Sequence, residues 1–452
     1  MRKLEHTLKT GGALLVLAAF AAGQTPPPKL KTLYSFQGYP SDGFQPQTGV
    51  RFGAGGVLYG VTYAGGTGSC AGTDGCGTIF SATPPLSPGG AWKETVLYSF
   101  QDSIDGAYPQ ANIVFGAGDV LYTTTSQFQA AGYGTVNSLT PPASPGGAWS
   151  ETALYDFAGG SGGQTPAGLV IGKRGEMYGI AAHGGTSGDG TVFSLTPPAS
   201  PGGAWTEADL HIFTGYPSDG NWPQGVVIDK EGVLYGTTLF GGDGPCAGMF
   251  GPSGCGAVFS LRPPDTPGGP WVGRVLHSFG GPPGDGQYPV AGAVIGKGGV
   301  LYGTTSQGGT FCAYGCGTVF SLTPPTSPGG SWTEAVLYNF AGGGDGIQPS
   351  SGVVIGSGGV LYGTTAQGGT GYCTGVGCGT IFSLTPPASP GGAWTETVLY
   401  SFAGGGDGAA PALAPGLTIG SNGLLYGTTS EGGTGPCFYD VPGCGTVFAF
   451  KP

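Results

Sequence analysis

Charge, histidine and methionine are all scarce in this chain of 452 residues. It carries 14 Lys+Arg against 25 Asp+Glu, for a net charge of −11, with 4 His and 3 Met. Neutralising a phosphate backbone takes clustered cations, and no basic run follows the first ten residues, so nucleic acid is excluded as a partner. Electrostatic attachment to anionic lipid is excluded on the same ground. No apolar run approaches the roughly 20 residues that span a bilayer. A 3.6-residue hydrophobic period is absent over any helical length, which argues against helical classes. Nucleophile elbow, phosphate loop and zinc-helix motifs are missing as well, so no catalytic residue is assigned.

What is abundant is Gly (99) and Pro (39), nearly a third of the chain. Such a share can mark a disordered polymer or collagen. A disordered chain, however, is poor in apolar and aromatic residues, and here 39% are hydrophobic and 11% aromatic. No every-third-residue glycine period is present, which removes collagen. The composition is that of a turn-rich, all-β protein.

The first 23 residues read as a secretory signal. Arg2, Lys3 and Lys9 supply a basic start, residues 11–22 a short apolar core, and Ala19 and Ala21 a cleavage pattern. Residues 24–29 are a Pro-rich linker, and residues 30–452 are expected to form the folded part. The mature protein is expected to be secreted or periplasmic and monomeric, with no membrane span.

Three markers recur seven times in the same order. Leu-Tyr-x-Phe or a variant begins at Leu33, Leu97, Leu154, Leu210, Leu276, Leu337 and Leu399. Leu-Tyr-Gly or a variant begins at Leu58, Leu121, Met177, Leu234, Leu301, Leu361 and Leu425. Gly-Thr-Val/Ile-Phe or a variant begins at Gly77, Gly134, Gly190, Gly256, Gly317, Gly379 and Gly445. Each unit holds four β-like runs divided by Gly/Pro turns, which predicts a seven-bladed β-propeller of four-stranded blades. The last unit stops after its third run, while residues 31–36 form an orphan fourth run. Pairing the two closes the ring, whereas a linear array would need caps. This layout puts the loops into each inner strand, and those between second and third strands, on one face, here the top.

Ten Cys fall in five top-face loops: Cys70/Cys76, Cys246/Cys255, Cys312/Cys316, Cys373/Cys378 and Cys437/Cys444. Units two and three lack both members. Paired loss, irregular spacing and no adjacent His favour structural disulfides over zinc knuckles. Their expected job is to pin Gly-rich loops that would otherwise be mobile.

Segments such as residues 299–310 (Gly-Val-Leu-Tyr-Gly-Thr-Thr-Ser-Gln-Gly-Gly-Thr), followed by Gly-Cys-Gly-Thr-Val-Phe-Ser-Leu over 315–322, resemble the GloVer tandem repeat. That repeat occurs in exported bacterial proteins described as choice-of-anchor. The resemblance spans Leu33 to Phe448 and implies an exported propeller-like array, with no catalytic residues or substrate to carry over. Nothing after Phe450 resembles a sorting signal.

The strongest polar recurrence is Asp-Gly-x-x-Pro in the loop entering each inner strand. It supplies Asp42, Asp105, Asp219, Asp285, Asp345 and Asp407, with Gly162 in the third unit. As a ring these carboxylates could bind Ca²⁺ or sugar hydroxyls; as Asp-Gly turns they would bond local backbone. Six Trp start the outer strands and read as packing between blades. Trp222 stands apart, in the fourth such loop beside Asn221, with Phe44, Tyr108 and Tyr288 in that region of other units. Such a rim suits stacking on a sugar or peptide. His183 is the one top-loop His, near Asp189, and could form an acid/base pair. Non-repeated carboxylates on the same face are Asp243, Glu431 and Asp440. The leading expectation is an exported binding or scaffold module for a glycan or protein, acting through the top face. A propeller hydrolase or polysaccharide lyase, and a structural envelope protein, are the alternatives.

Overall fold

In the computed structural model, a short N-terminal strand, Leu30–Ser35, lies antiparallel to the last strand, Thr446–Phe450. Leu30 faces Phe450 and Ser35 faces Thr446. The structure describes residues 30–452, apart from 71–74, 88, 103–104, 127–131, 145, 201, 249–250, 267, 328, 374, 390, 412–415 and 438–441. The signal and linker expectations, and Asp440, lie outside the described residues. Seven sheets are arranged as a β-propeller, closed as expected by the shared seventh sheet. The helical elements among the described residues are three-residue 3-10 turns.

Each blade runs from an inner strand to an outer strand, which in six of the seven is led by Trp. Blade 5 is representative: Val294–Ile295, Leu301–Thr305, Thr318–Thr323 and Thr333–Asn339, paired in that order. Third and outer strands are offset by a bulge in every blade, as between Val319 and Phe320. A bulge raises local twist. It lets the closing Phe of Leu-Tyr-x-Phe turn into the next blade. Those Phe side chains, such as Phe36, Phe279 and Phe340, are fully buried, each worth roughly 2–3 kcal/mol of burial. They meet the third-strand Phe of the following blade edge-on, at 5.0 Å for Phe36–Phe80 and 5.1 Å for Phe340–Phe382. The outer-strand Trp packs backwards onto the Tyr of the preceding blade, as in Trp271–Tyr178 at 5.6 Å. Outer strands therefore knit neighbouring blades together on both sides.

Opposite each third-strand Phe stands a Gly. Gly60 faces Phe80 and Gly303 faces Phe320. The ring lies over the glycine, so a Cβ at Gly303 would come 2.5 Å from Phe320 Cζ. Blade 2 has neither member: Thr123 faces Asn137. Both are buried, and Asn137 Nδ2 donates to Asp105 O at 3.1 Å while its Oδ1 has no partner. The two positions thus change together inside one molecule.

Five disulfides form between the expected Cys pairs, Cys70–Cys76, Cys246–Cys255, Cys312–Cys316, Cys373–Cys378 and Cys437–Cys444. Their depth adds to the loop position read from the sequence. The second Cys of every pair is core: Cys76, Cys255, Cys316, Cys378 and Cys444 are buried to 1% exposure or less. The reason is packing against the closing Phe of the outer strand. Cys316 shares a cluster with Phe340, Cys378 with Phe402 and Cys444 with Phe36. Cys76 and Cys255 meet Phe100 and Phe279 in the same way. A disulfide sulfur has no polar demand that would hold it at the surface. Each bridge therefore ties a loop to the blade interior.

The carbonyl of that buried Cys accepts an N–H from the next blade's Asp-Gly-x-x-Pro loop. Cys76 O accepts Tyr108 N–H and Cys255 O accepts Tyr288 N–H, both at 2.9 Å. Cys316 O accepts Gln348 N–H and Cys378 O accepts Ala410 N–H, both at 3.0 Å. Cys444 O accepts Gln45 N–H at 3.1 Å across the ring closure.

The Gly–Phe pairing predicts strong coupling in blade 2. Asn137→Phe alone is expected to clash with Thr123 and cost about 1–3 kcal/mol. Combined with Thr123→Gly it should recover most of that loss, giving a coupling energy above about 1 kcal/mol in urea unfolding. Additive single effects would refute the pairing.

Candidate functional site

The recurrent Asp residues do not stand free around the channel. Each is gripped at a seam by the outer strand of the blade before it. Tyr34 donates its hydroxyl to Asp42 at 2.7 Å, Tyr98 to Asp105 at 2.6 Å, Tyr338 to Asp345 at 3.0 Å and Tyr400 to Asp407 at 2.9 Å. Backbone N–H groups complete the grip, as from Gln37 and Gly43 to Asp42. His211 replaces Tyr against Asp219 at 3.0 Å, and His277 lies 3.5 Å from Asp285. Where Gly162 takes the Asp position, Tyr155 turns instead to Glu207 at 3.3 Å. The carboxylates are engaged one per seam, in the manner of Asp-Gly turns reinforced by a side-chain latch.

A second acid lies behind most latches. Glu94, Glu151, Glu334 and Glu396, from the outer strands, each bury one carboxyl oxygen without a hydrogen-bond partner. Burial, then the charge of Asp42, pushes the Glu94 carboxyl up to about 8. Burial and the neighbouring Asp push Glu151 and Glu396 up to about 7.

Against this repeated pattern, blades 3 and 4 differ in two respects. Their inner strands, Gly163–Ile171 and Gly220–Ile228, run for nine residues, where blades 1, 2, 5 and 6 have two. The buried Thr–Thr hydrogen bond between second and third strands, 2.8 Å for Thr305–Thr318, is lost, because Ala181 and Ala257 stand in one of its places. Blades 2 and 3 lack the disulfide, so the rim residues Thr165 and Trp222 hang from Tyr133 O and Asp189 O instead.

At this point of the ring a cleft of about 270 Å³ opens between the long strands. Gln110, Thr165, His183, Trp222 and Gln224 supply its polar and aromatic walls. Trp222 adopts a positive φ of 62°, as do its counterparts Gln45, Tyr108, Thr165, Tyr288, Gln348 and Ala410, so this backbone conformation belongs to the repeat. Its indole N–H donates to His183 Nε2 at 2.7 Å, and Gln224 Nε2 donates to Trp222 O at 2.9 Å. Burial holds the His183 imidazole below its usual range, so it is neutral near pH 7 with the proton on Nδ1. The indole stacks on Phe240 at 5.5 Å, and Phe240 meets Tyr288 edge-on at 5.1 Å. Gln110, Ala167 and Gln224 also line a neighbouring cavity among the inner strands, whose walls include Val114, Val170, Val227, Val294 and Arg51.

A family of bacterial repeats matches almost all of the folded part, over residues 67–264 and 246–452: the Gloeobacter/Verrucomicrobia repeat. The chain belongs to that family. No curated protein matches it. Among solved structures, a fungal alcohol oxidase of the AA5 family, in complex with copper, is 14% identical. That match covers 94% of this chain and 77% of the other, at a TM-score of 0.54. The extracellular domain of a B. thetaiotaomicron protein described as a hybrid two-component system is 11% identical, covering 94% of this chain and 41% of the other at a TM-score of 0.47. A gluconolactonase of Xanthomonas campestris is 14% identical, covering 77% and 87% at 0.38. The oxidase shares the fold alone, and the other two carry no weight for function.

In this Gloeobacter/Verrucomicrobia repeat protein the sequence-predicted rim residues separate. Trp222 and His183 come together, and Tyr288 joins them through Phe240. Phe44 does not reach the rim: it stands where Asn221 and Gln287 stand in other units, and at 2% exposure it is core beside Phe36 and Phe80. Tyr108, 5% exposed, is stacked on Tyr63 at 4.8 Å. Asn221 pairs in the strand with Phe240 and does not line the cleft. His183 forms no ion pair with Asp189; its Nε2 accepts the Trp222 indole N–H instead.

Gln110, Thr165, Gln224, Phe240 and Arg51 were not singled out by sequence. One signal was available for Arg51: it occupies the inner-strand position held elsewhere by Val114, Val170, Val227, Val294, Val354 and Thr418. Its guanidinium donates to Thr418 Oγ1 at 3.2 Å and has no ion-pair partner among the described residues. Burial lowers its pKa, so Arg51→Val is expected to raise the unfolding midpoint; a lower midpoint in a thermal melt would contradict this.

Buried seam carboxyls also set a pH dependence. Folded Glu94, Glu151 and Glu396 hold protons up to about 7–8, whereas an unfolded Glu releases its proton near 4.3. The folded state therefore binds more protons across that window, and stability should fall as pH rises from about 4.3 to 8. For Asp219 and Asp285 burial raises the pKa, but the His partners and backbone N–H groups together outweigh it and leave both lowered. These two act in the opposite sense, losing stability as pH falls below about 4. A thermal-melt series should show the decline, flattened in the triple variant Glu94→Gln, Glu151→Gln, Glu396→Gln; an unchanged slope would refute the assignment.

Proposed function

We propose that this protein is an exported, non-catalytic binding propeller that holds a neutral glycan in the cleft of blades 3 and 4. The observation that carries this reading is the absence of formal charge on the cleft's described lining side chains: amides, a hydroxyl, an indole and a neutral imidazole. Sugar hydroxyls pair with amides, and sugar C–H faces stack on aromatic rings. A ring of identical latches offers no such site, and the cleft arises where the ring departs from its repeat.

Further support comes from the same face. Tyr314 and Tyr372, 77% and 90% exposed, stand on the disulfide-braced loops of blades 5 and 6 and offer a second stacking surface for a longer chain. Five disulfides suit an oxidising compartment, which favours secretion or the periplasm.

A hydrolase or lyase reading asks for more than the cleft offers. Glycosidases place two carboxyl groups about the scissile bond, and among the described residues no carboxylate lines this cleft. His183 Nε2 already accepts the Trp222 N–H, which leaves no free basic lone pair on the ring.

Glycan-array binding followed by titration of intrinsic Trp fluorescence tests the reading. Retention of one or more uncharged glycans is expected, with no release of reducing ends. Trp222→Ala should weaken binding at least tenfold while the fold persists by circular dichroism. A Gln224→Ala variant should lose less. An empty array, or undiminished binding by folded Trp222→Ala, would overturn the proposal.

A further inference from the structure

The seam between blades 4 and 5 differs chemically from the rest of the ring. His277 of the blade 4 outer strand, Asp285 of the following loop and Glu334 of the blade 5 outer strand bring three donor atoms together. All lie within 4.8 Å of one another, and among the described residues this is the one such group. Five other seams place a Tyr where His277 stands, and Tyr adds no strong metal donor at neutral pH. The remaining His seam lacks the third group, since Gly273 occupies the position of Glu334.

Comparison of the two His seams is informative. His211 Nε2 lies 3.0 Å from Asp219 Oδ2, an ordinary hydrogen bond. His277 Nε2 lies 3.5 Å from Asp285 Oδ2, well beyond the 2.7–2.9 Å of a charge-assisted bond. Two ligands of a tetrahedral ion, each about 2.0–2.1 Å from it, stand roughly 3.4 Å apart. The seam with the glutamate thus has ligand spacing, and the seam without it has hydrogen-bond spacing. His277 Nε2 and Glu334 Oε1 are both shut off from solvent with no hydrogen-bond partner. Asp285 is held in place by the N–H groups of Gly280, at 2.6 Å, and Gly286. The side chains of His277 and Asp285 keep 22% and 24% of their exposure, so the cluster borders solvent although two of its donor atoms are covered.

We propose that this seam is a divalent transition-metal site of the zinc class, with His277 Nε2, Asp285 Oδ2 and Glu334 Oε1 as protein ligands. One imidazole with two carboxylates suits Zn²⁺, whereas Ca²⁺ takes an all-oxygen shell. Solvent completes the coordination. The ion ties two outer strands and the loop between them, so it fastens neighbouring blades where a Tyr latch does so elsewhere.

The test uses tag-free folded protein titrated with Zn²⁺ by calorimetry and with Co²⁺ by visible absorption. One equivalent is expected to bind, and excess Zn²⁺ to raise the melting temperature by mass action. His277→Tyr installs the residue of the other seams; it should fold normally and lose both the bound equivalent and the Zn²⁺-dependent shift. His211→Tyr should keep both. Gly273→Glu supplies the missing carboxylate beside His211 and Asp219 and should raise the stoichiometry from one to two. No saturable binding up to about 1 mM Zn²⁺, undiminished binding by folded His277→Tyr, or a folded Gly273→Glu protein that stays at one equivalent would each overturn the proposal. If Gly273→Glu fails to fold, the contrast between His277→Tyr and His211→Tyr decides the matter.

Discussion

The pairing of Leu30–Ser35 with Thr446–Phe450 holds the two ends of the folded part in one sheet, and the order of the rest follows from it. A propeller blade has an inner and an outer edge, and its flat faces need cover from neighbours on both sides. With the seventh sheet completed by the first strand, every blade has two neighbours. Phe36 can then bury its ring against Phe80, and Trp92 can rest on Tyr426 across the closure. Opening the ring would expose both contacts at once.

Within a closed ring of repeats the seams carry the stability, and they also carry the variation. Each seam uses the same positions: a Phe on the next blade's Phe–Gly pair, a Tyr or His on an Asp, and commonly a buried Glu behind it. Substitutions arrive in sets. Thr123 accompanies Asn137, Tyr155 turns to Glu207 where Gly162 removes the Asp, and Gly273 faces His211 where its counterparts are Glu. A local set of compatible residues can therefore change one seam without disturbing the remaining ones. Such freedom lets a symmetric scaffold acquire a cleft at one seam and a distinct donor set at the next.

Loss of bracing and gain of a cleft coincide. Blades 2 and 3 lack their disulfides, the long inner strands belong to blades 3 and 4, and Trp222 sits at this point of the ring. Where a covalent clamp holds the other loops, hydrogen bonds from Trp222 to His183 and Asp189 hold this one.

Fold class, blade number, ring closure and disulfide partners were legible in the chain because they are repeated. Seven occurrences of one pattern average out local noise, and Cys pairs within one loop have a single short-range solution. The depth of those bridges was not legible: Cys316, Cys378 and Cys444 are buried by a Phe that lies 24 or more residues away along the chain or at its other end. The candidate site was only half legible. Trp222 and His183 stood out as departures from the repeat, but 39 residues separate them in the chain, and no spacing rule ties them together. Phe44 and Tyr108 looked like rim residues because they lie in the same loop as Trp222, although only Tyr108 shares its position and Phe44 stands one residue earlier. Which face each side chain takes depends on strand register and on the neighbour across the seam. Gln110, Gln224 and Arg51 became meaningful only once the inner strands were set around one axis. Grouping His277, Asp285 and Glu334 likewise needed tertiary structure, since a latch partner, its loop and the acid behind it come from two successive repeats. Repetition is a property of the sequence, whereas juxtaposition across a seam is a property of the ring.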